Sequence, residues 1–278
     1  MLLSKKEMSR RGFLTLVGKL GVGAALGGSI LNLGSKALGA TVPLPWVTDI
    51  TGLDPDDIAE RAYWGYRGFD TNGQTGIDGK SCAYAVFNAI IEKLNAGATY
   101  PLPEEMMQYG HGGVSGMGHI CGALNGASAV INLIKGTTPI KNNLTPMDNL
   151  IKQLIWWYEQ EDHPNYEPKA PKLIDGTVYI PPTIVPHSAL CHVFVTKWCH
   201  EYGYTASSSQ RGECCARLAA EVAKRTVELL NGTVTEVYEL TDSTKTCLSC
   251  HGSSAMDNVK GEMECLTCHT KKHHGYGK

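Results

Sequence analysis

Residues 117–135, Met117-Gly118-His119-Ile120-Cys121-Gly122-Ala123-Leu124-Asn125-Gly126-Ala127-Ser128-Ala129-Val130-Ile131-Asn132-Leu133-Ile134-Lys135, set the architecture. Apolar and small residues recur here at helical spacing, and Gly136 stops the pattern. Gly118, Gly122 and Gly126 fall every four residues, a stripe that admits a close neighbour. The same period recurs on both sides. Ser81 is placed to cap a helix running through Cys82, Val86, Ile90 and Leu94 to Gly97. Asp148 to Glu161 carries Ile151, Leu154, Ile155 and Tyr158 on one face, with the Trp156-Trp157 pair assigned to core packing. Leu190 to Tyr202 and Glu213 to Leu230 read as two more helices, the second ending before Gly232. Pro164 to Pro171 and Pro181 to Pro186 are connectors. The expected class is mainly α: a helical body with loop-rich connections.

The 278 residues are 42% hydrophobic and 19% charged, with a formal net charge of −2. That composition is globular and excludes a disordered, fibrous or multi-spanning chain. It also lacks the basic footprint of a nucleic-acid binder. The unusual feature is ten cysteines beside ten histidines.

Four of those cysteines close the chain in two identical patterns. Cys247-Leu248-Ser249-Cys250-His251 and Cys265-Leu266-Thr267-Cys268-His269 are both C-x-x-C-H, the c-type haem attachment motif. Two thiols at this spacing reach the two vinyl groups on one porphyrin edge, and the adjacent His ligates iron from the proximal side. Chance supplies one such pentad in roughly one chain in a hundred at this composition. A four-cysteine zinc ribbon is the alternative, but it does not require a His after both pairs. The segment 241–278 is therefore expected to be a short dihaem segment, with two haem c per chain and His251 and His269 as proximal ligands. It is too short and polar to bury two macrocycles alone, so the haems need the body, each other or a second copy, and a homodimer follows. His111 and His119, in a Gly-rich stretch beside Cys121, are candidate distal iron ligands. His163, before Pro164 in an acidic loop, reads as a solvated surface residue.

At the other end, Arg10-Arg11-Gly12-Phe13-Leu14 opens a mildly apolar stretch interrupted by Lys19. This reads as a twin-arginine export signal over 1–40, with cleavage near Ala40 and a periplasmic destination. An N-terminal membrane anchor is the alternative; no stable span is expected after cleavage. The twin-arginine route carries folded proteins, often with a cofactor already inserted.

Six cysteines remain in the body, expected over 41–240: Cys82, Cys121, Cys191, Cys199, Cys214 and Cys215. Cys82, Cys121 and the Cys214/Cys215 pair fall in the first turns of helices, where free N–H groups and the macrodipole favour thiolate. Thiolate binds iron, so converging helix starts suit an iron–sulfur cluster. Three disulfides in an oxidising compartment are the alternative.

Cys82-Ala83-Tyr84-Ala85-Val86, Gly112-Gly113, Cys121-Gly122-Ala123-Leu124-Asn125-Gly126 and a later cysteine in a long helix together resemble the C-GCAxxG-C-C redox-associated family. With the export signal and the two terminal haem motifs, residues from about 60 to the end resemble the split-Soret cytochromes c of sulfate-reducing bacteria. The resemblance implies a periplasmic homodimer with bis-His haem iron, one axial ligand coming from the other subunit, and an iron–sulfur cluster in the body. It matches Cys82 and Cys121 to the first two family cysteines, with the third at Cys191 or Cys199 and the fourth at Cys214 or Cys215. No substrate-handling motif competes: Gly116-x-Gly118 lacks a third glycine. The expected function is non-enzymatic electron transfer between redox protein partners. A haem-dependent reductase of a small oxidised substrate and a disulfide-stabilised haem sensor are the alternatives.

Overall fold

The structure, a computed structural model, describes residues 47, 49–68, 79–96, 101–137 and 146–269. The export signal assigned to 1–40, its cleavage site and the helix stop assigned to Gly97 lie outside them. Leu44–Lys278 forms one compact unit. Its helices are α1 (Pro55–Arg67), α2 (Cys82–Asn95), α3 (Gly122–Lys135), α4 (Pro146–Gln160), α5 (Cys191–Tyr202), α6 (Ser209–Asn231) and α7 (Asp242–His251), with 3-10 turns at Glu104–Gly110 and Cys265–Thr267. Among the described residues the only extended pairings are isolated bridges, so the mainly α expectation holds.

The long helix α6 is the axis of the body, packing against α1, α2, α3 and α4. Ser208 caps it, its Oγ accepting from the Arg211 N–H at 3.2 Å, and Gly232 ends it at φ 71°. Ile58, Phe87, Leu124, Leu154 and Val222 from five helices meet in one core, each 0% exposed. α1 is a helix that the apolar pattern alone does not reveal. Asp54 caps it by accepting from the Asp57 N–H at 2.8 Å, Pro55 starts it and Gly68 stops it at φ 78°.

The glycine stripe works as expected at two of its three positions. A Cβ on Gly126 would lie 2.3 Å from the Ala83 carbonyl oxygen, and one on Gly122 would lie 2.3 Å from the Cys82 sulfur. Side chains there would drive α3 off α2. Gly118 is different. The helix expected from Met117 begins only at Gly122, because Gly118 has φ 76° and residues 118–121 pair with 189–192 instead. The Cys121 N–H donates to the Ala189 carbonyl at 2.7 Å, and the Cys191 N–H to the His119 carbonyl at 2.7 Å.

His163 corrects the surface reading. It is 0% exposed, stacked on Tyr158 with ring centroids 5.2 Å apart and edge-on to Trp157 at 4.7 Å. Glu221 Oε2 lies 3.1 Å from its Nδ1, and the bridge to Ile184 draws the loop inward. Trp157 is core, as expected, with the Arg225 guanidinium 4.8 Å from its ring.

One buried charge network holds α1, α6 and the connectors together. Glu213, 0% exposed, accepts from Tyr63 Oη at 2.9 and 3.0 Å and from Arg217 Nε at 2.8 Å, with Arg67 Nε 3.5 Å away. Arg217 also donates to the carbonyls of Tyr166 and Tyr179. Glu213→Ala leaves two cations without their carboxylate. It should cost about 3–5 kcal/mol, read as a lower denaturation midpoint with the haem content unchanged.

Candidate redox centres

The body cysteines sort into two groups. Cys82 and Cys191 are the first residues of α2 and α5, Cys121 is the N-cap of α3, and Cys215 lies in the second turn of α6. These four sulfurs lie in mutual electrostatic range: Cys121 with Cys82 and Cys191, Cys191 with Cys82 and Cys215, and Cys82 with Cys215. Cys214 and Cys199 neighbour one another and Cys215. The convergence of helix starts is thus as expected, and of the six body cysteines Cys82, Cys121, Cys191 and Cys215 form it. None of the ten cysteines is in a disulfide.

The thiolate expectation is overturned. Burial pushes the Cys191 thiol up to about 12 and Cys121, Cys82 and Cys215 upward as well, with neighbouring sulfurs adding to it at the first three. Loss of hydration outweighs the helix termini. Ionisation of these thiols is favoured by a cation bound among them.

An iron–sulfur cluster fits this donor set. Among the described residues no three Cys, His, Asp or Glu side chains gather tightly enough to clasp one ion. Four cysteine sulfurs are the donor set that a sulfide-bridged cluster takes. The missing side chain of Gly122 leaves Cys82 Sγ seated on the start of α3. Tyr158 Oη is buried without an oxygen or nitrogen partner and faces the Cys121 sulfur.

The tail is a second centre. α7, a helix too polar to show in the apolar pattern, carries Cys247, Cys250 and His251, and Thr241 caps it by accepting from the Thr244 N–H at 3.2 Å. Cys265 opens the last 3-10 turn, and the His269 N–H closes on the Cys265 carbonyl at 2.9 Å. The leading cysteines of the two motifs, Cys247 and Cys265, stand within hydrogen-bonding reach of each other. Glu264 fixes this pairing. Its carboxylate accepts from the hydroxyls of Thr241, Ser243 (2.8 Å) and Thr244 (3.3 Å) and from the Leu266 N–H at 3.1 Å. Burial works against that charge, but the hydroxyl and amide donors win and hold the Glu264 carboxyl below its ordinary range. His251 Nδ1 sits 3.1 Å from Asn258 Oδ1, a contact that orients the ring. Val237, Met256, Val259, Met263 and Leu266 are exposed along this segment. Bare apolar side chains on so polar a stretch fit a surface meant to be covered by an apolar group.

His111 and His119 are exposed on the turns that lead into Cys121, next to the cysteine ring. The second haem motif touches another histidine: Thr267 Oγ1 donates to the His187 carbonyl at 2.7 Å. Beside it, Glu159 accepts from the Ala189 N–H at 2.9 Å. Burial raises the Glu159 carboxyl to about 7, against that amide and with the nearby Glu264 charge. A folded value above the unfolded 4.5 means a contribution to stability present below pH 4.5 and lost as pH rises through 7. Denaturant titrations at pH 5 and pH 8 should therefore show Glu159→Gln gaining on the parent at the higher pH, by up to about 3 kcal/mol.

Comparison with known proteins follows the same geometry. Residues 80–229, which hold all six body cysteines, match the family model described as "Putative redox-active protein (C_GCAxxG_C_C)". The chain belongs to the C_GCAxxG_C_C family. It is 32% identical over 274 residues to the split-Soret cytochrome c of Desulfovibrio desulfuricans, covering 89% of this chain and 91% of that one. A solved structure described as "A novel iron centre in the split-Soret cytochrome c from Desulfovibrio desulfuricans ATCC 27774" matches with a TM-score of 0.68 at 30% identity, over 82% of this chain and 91% of that chain. The family model ends before Asp242, so the haem-motif tail is an addition to the family body. Glu264, Tyr158 and Arg211 are site residues that the motif reading misses. Only Arg211 left a signal, standing four positions before Cys215.

Proposed function

We propose that the chain is a periplasmic dihaem c-type cytochrome with an iron–sulfur cluster, passing single electrons between redox protein partners. The observation that carries this is the side-by-side placement of two C-x-x-C-H motifs, Cys247 against Cys265, on a body with four converging cysteines. Haem and cluster, when bound, supply one-electron chemistry. Cys247, Cys250, Cys265 and Cys268 hold the porphyrins by thioether bonds, and His251 and His269 ligate their irons. The Asn258 contact at Nδ1 of His251 directs Nε2 to the metal. Cys82, Cys121, Cys191 and Cys215 hold the cluster, Cys121 from the core and the other three from half-buried positions. His111 and His119 are the proposed distal ligands. They lie near exposed Met106, Tyr109 and Met117, an apolar rim suited to a second copy of the chain.

The test is protein purified from a host that matures c-type haems. Two added haem masses, acid-labile sulfide, a dimer and a spectrum unchanged by carbon monoxide support the reading. A carbon monoxide shift would point instead to an open iron and a reductase. Absence of both haem masses would end it.

A further inference from the structure

Arg211 is a cation without a carboxylate. Its neighbours Arg67 and Arg217 are both taken by Glu213. Among the described residues Arg211 has no acidic side chain within ion-pair distance. It is nevertheless held in place. Its backbone N–H is fixed by the Ser208 cap, its Nε donates to the Ala206 carbonyl, and its Nη1 donates to Tyr66 Oη at 3.2 Å. Helix geometry puts residues four apart on one face, and Cys215 is four residues on. The Arg211 guanidinium and the Tyr66 hydroxyl both stand within hydrogen-bonding reach of its sulfur. A half-buried guanidinium normally finds a counter-anion. Here the group that it faces is a cysteine sulfur, which carries negative charge once it binds iron.

Resting on the cluster reading above, we propose that Arg211, with Tyr66, is a positioning residue that sets the cluster's reduction potential through Cys215. Reduction adds one electron from a redox partner, and so one negative charge, to the cysteine-ligated group; no atom is transferred. A fixed cation and two donors at one ligand sulfur stabilise that added charge and raise the potential. Tyr158, facing Cys121 with a neutral hydroxyl, exerts the same effect more weakly.

The experiment is a redox titration of the holoprotein followed by paramagnetic resonance for the cluster and by optical absorbance for the haems. It compares Arg211→Gln, Arg211→Lys and Tyr66→Phe. Arg211→Gln should keep its iron and acid-labile sulfide and shift the cluster's reduction equilibrium about tenfold toward the oxidised form, about 59 mV for a one-electron couple. Arg211→Lys, which keeps the charge, should restore much of that shift. Tyr66→Phe should move it about threefold in the same direction. The haem potentials should stay in place. A merely structural role would lower cluster content without moving the midpoint. An unshifted or more positive midpoint in a cluster-loaded Arg211→Gln overturns the proposal. If that variant loses its cluster, an unshifted Tyr66→Phe overturns it instead. A parent protein without acid-labile sulfide overturns the cluster reading itself, before any substitution is made.

Discussion

Replacing Cys265 and Cys268 together by alanine is expected to leave a protein with one covalently bound haem where the parent has two. The mass should fall by one porphyrin, and the visible absorbance should drop to about half, since each C-x-x-C-H pentad holds one haem. The first motif should still be loaded. α7 is capped by its own Thr241 hydroxyl, and the His251–Asn258 contact lies within 242–258, so neither depends on the lost thiols. Glu264 continues to join the two segments through Ser243 and Leu266. The matching variant His251→Ala separates attachment from ligation. Cys247 and Cys250 still anchor the porphyrin, so the added haem mass is unchanged. The iron loses its proximal nitrogen, and the spectrum becomes high-spin and sensitive to carbon monoxide. A double-cysteine variant that retained two haem masses would remove the assignment of the second motif. A His251→Ala protein with an unaltered spectrum would remove that residue's role.

How much of this was legible beforehand depended on the kind of signal. Periodicity located α2, α4, α5 and α6 to within a few residues, because each presents a continuous apolar face to the core. It failed at Met117–Cys121, where positive-φ glycines and pairing with 189–192 override a helix-compatible composition. It also failed for α1 and α7, whose start signals, Asp54-Pro55 and Thr241, are local while their apolar content is modest. His163 was misread because its neighbours are brought together only by folding. Glu221 is 58 positions away, and the aromatic contacts form only because the chain folds back on Trp157 and Tyr158 at the end of α4. The haem motifs were legible because five adjacent residues carry the whole chemistry. The four-cysteine ring was only half legible: Cys82 and Cys121 stand out by pattern, but the choices between Cys191 and Cys199, and between Cys214 and Cys215, depend on how helices face one another. The thiolate expectation failed for an energetic reason, since a helix terminus offers less than burial takes away.

That choice between cysteines is the other large expected effect. Cys82→Ser, Cys121→Ser, Cys191→Ser and Cys215→Ser should each strip the cluster, lowering iron beyond the haem content and acid-labile sulfide to a small fraction of the parent's. A serine hydroxyl does not ionise near neutral pH and is a poor ligand for iron in place of thiolate. Cys199→Ser and Cys214→Ser should keep both. Adjacent residues on a helix point about 100° apart, so Cys214 and Cys215 serve different sides of α6. Cys215 faces Cys82, Cys191, Tyr66 and Arg211. Cys214 neighbours Cys199, Tyr179 and Tyr202 as well as Cys215, and Cys82, Cys121 and Cys191 are not among its main electrostatic neighbours. Cys214→Ser is the stringent control, because Cys214 is 0% exposed and its hydroxyl replacement disturbs the core as much as any of the others does. A general packing defect would therefore lower cluster content in Cys214→Ser and Cys121→Ser alike, whereas ligation separates them. The two covalent haems give the internal reference, since none of these six side chains belongs to an attachment motif. If Cys214→Ser were the variant that lost acid-labile sulfide and Cys215→Ser the one that kept it, α6 would present its other face to the metal, and the ring formed by Cys82, Cys121, Cys191 and Cys215 would not be the cluster site.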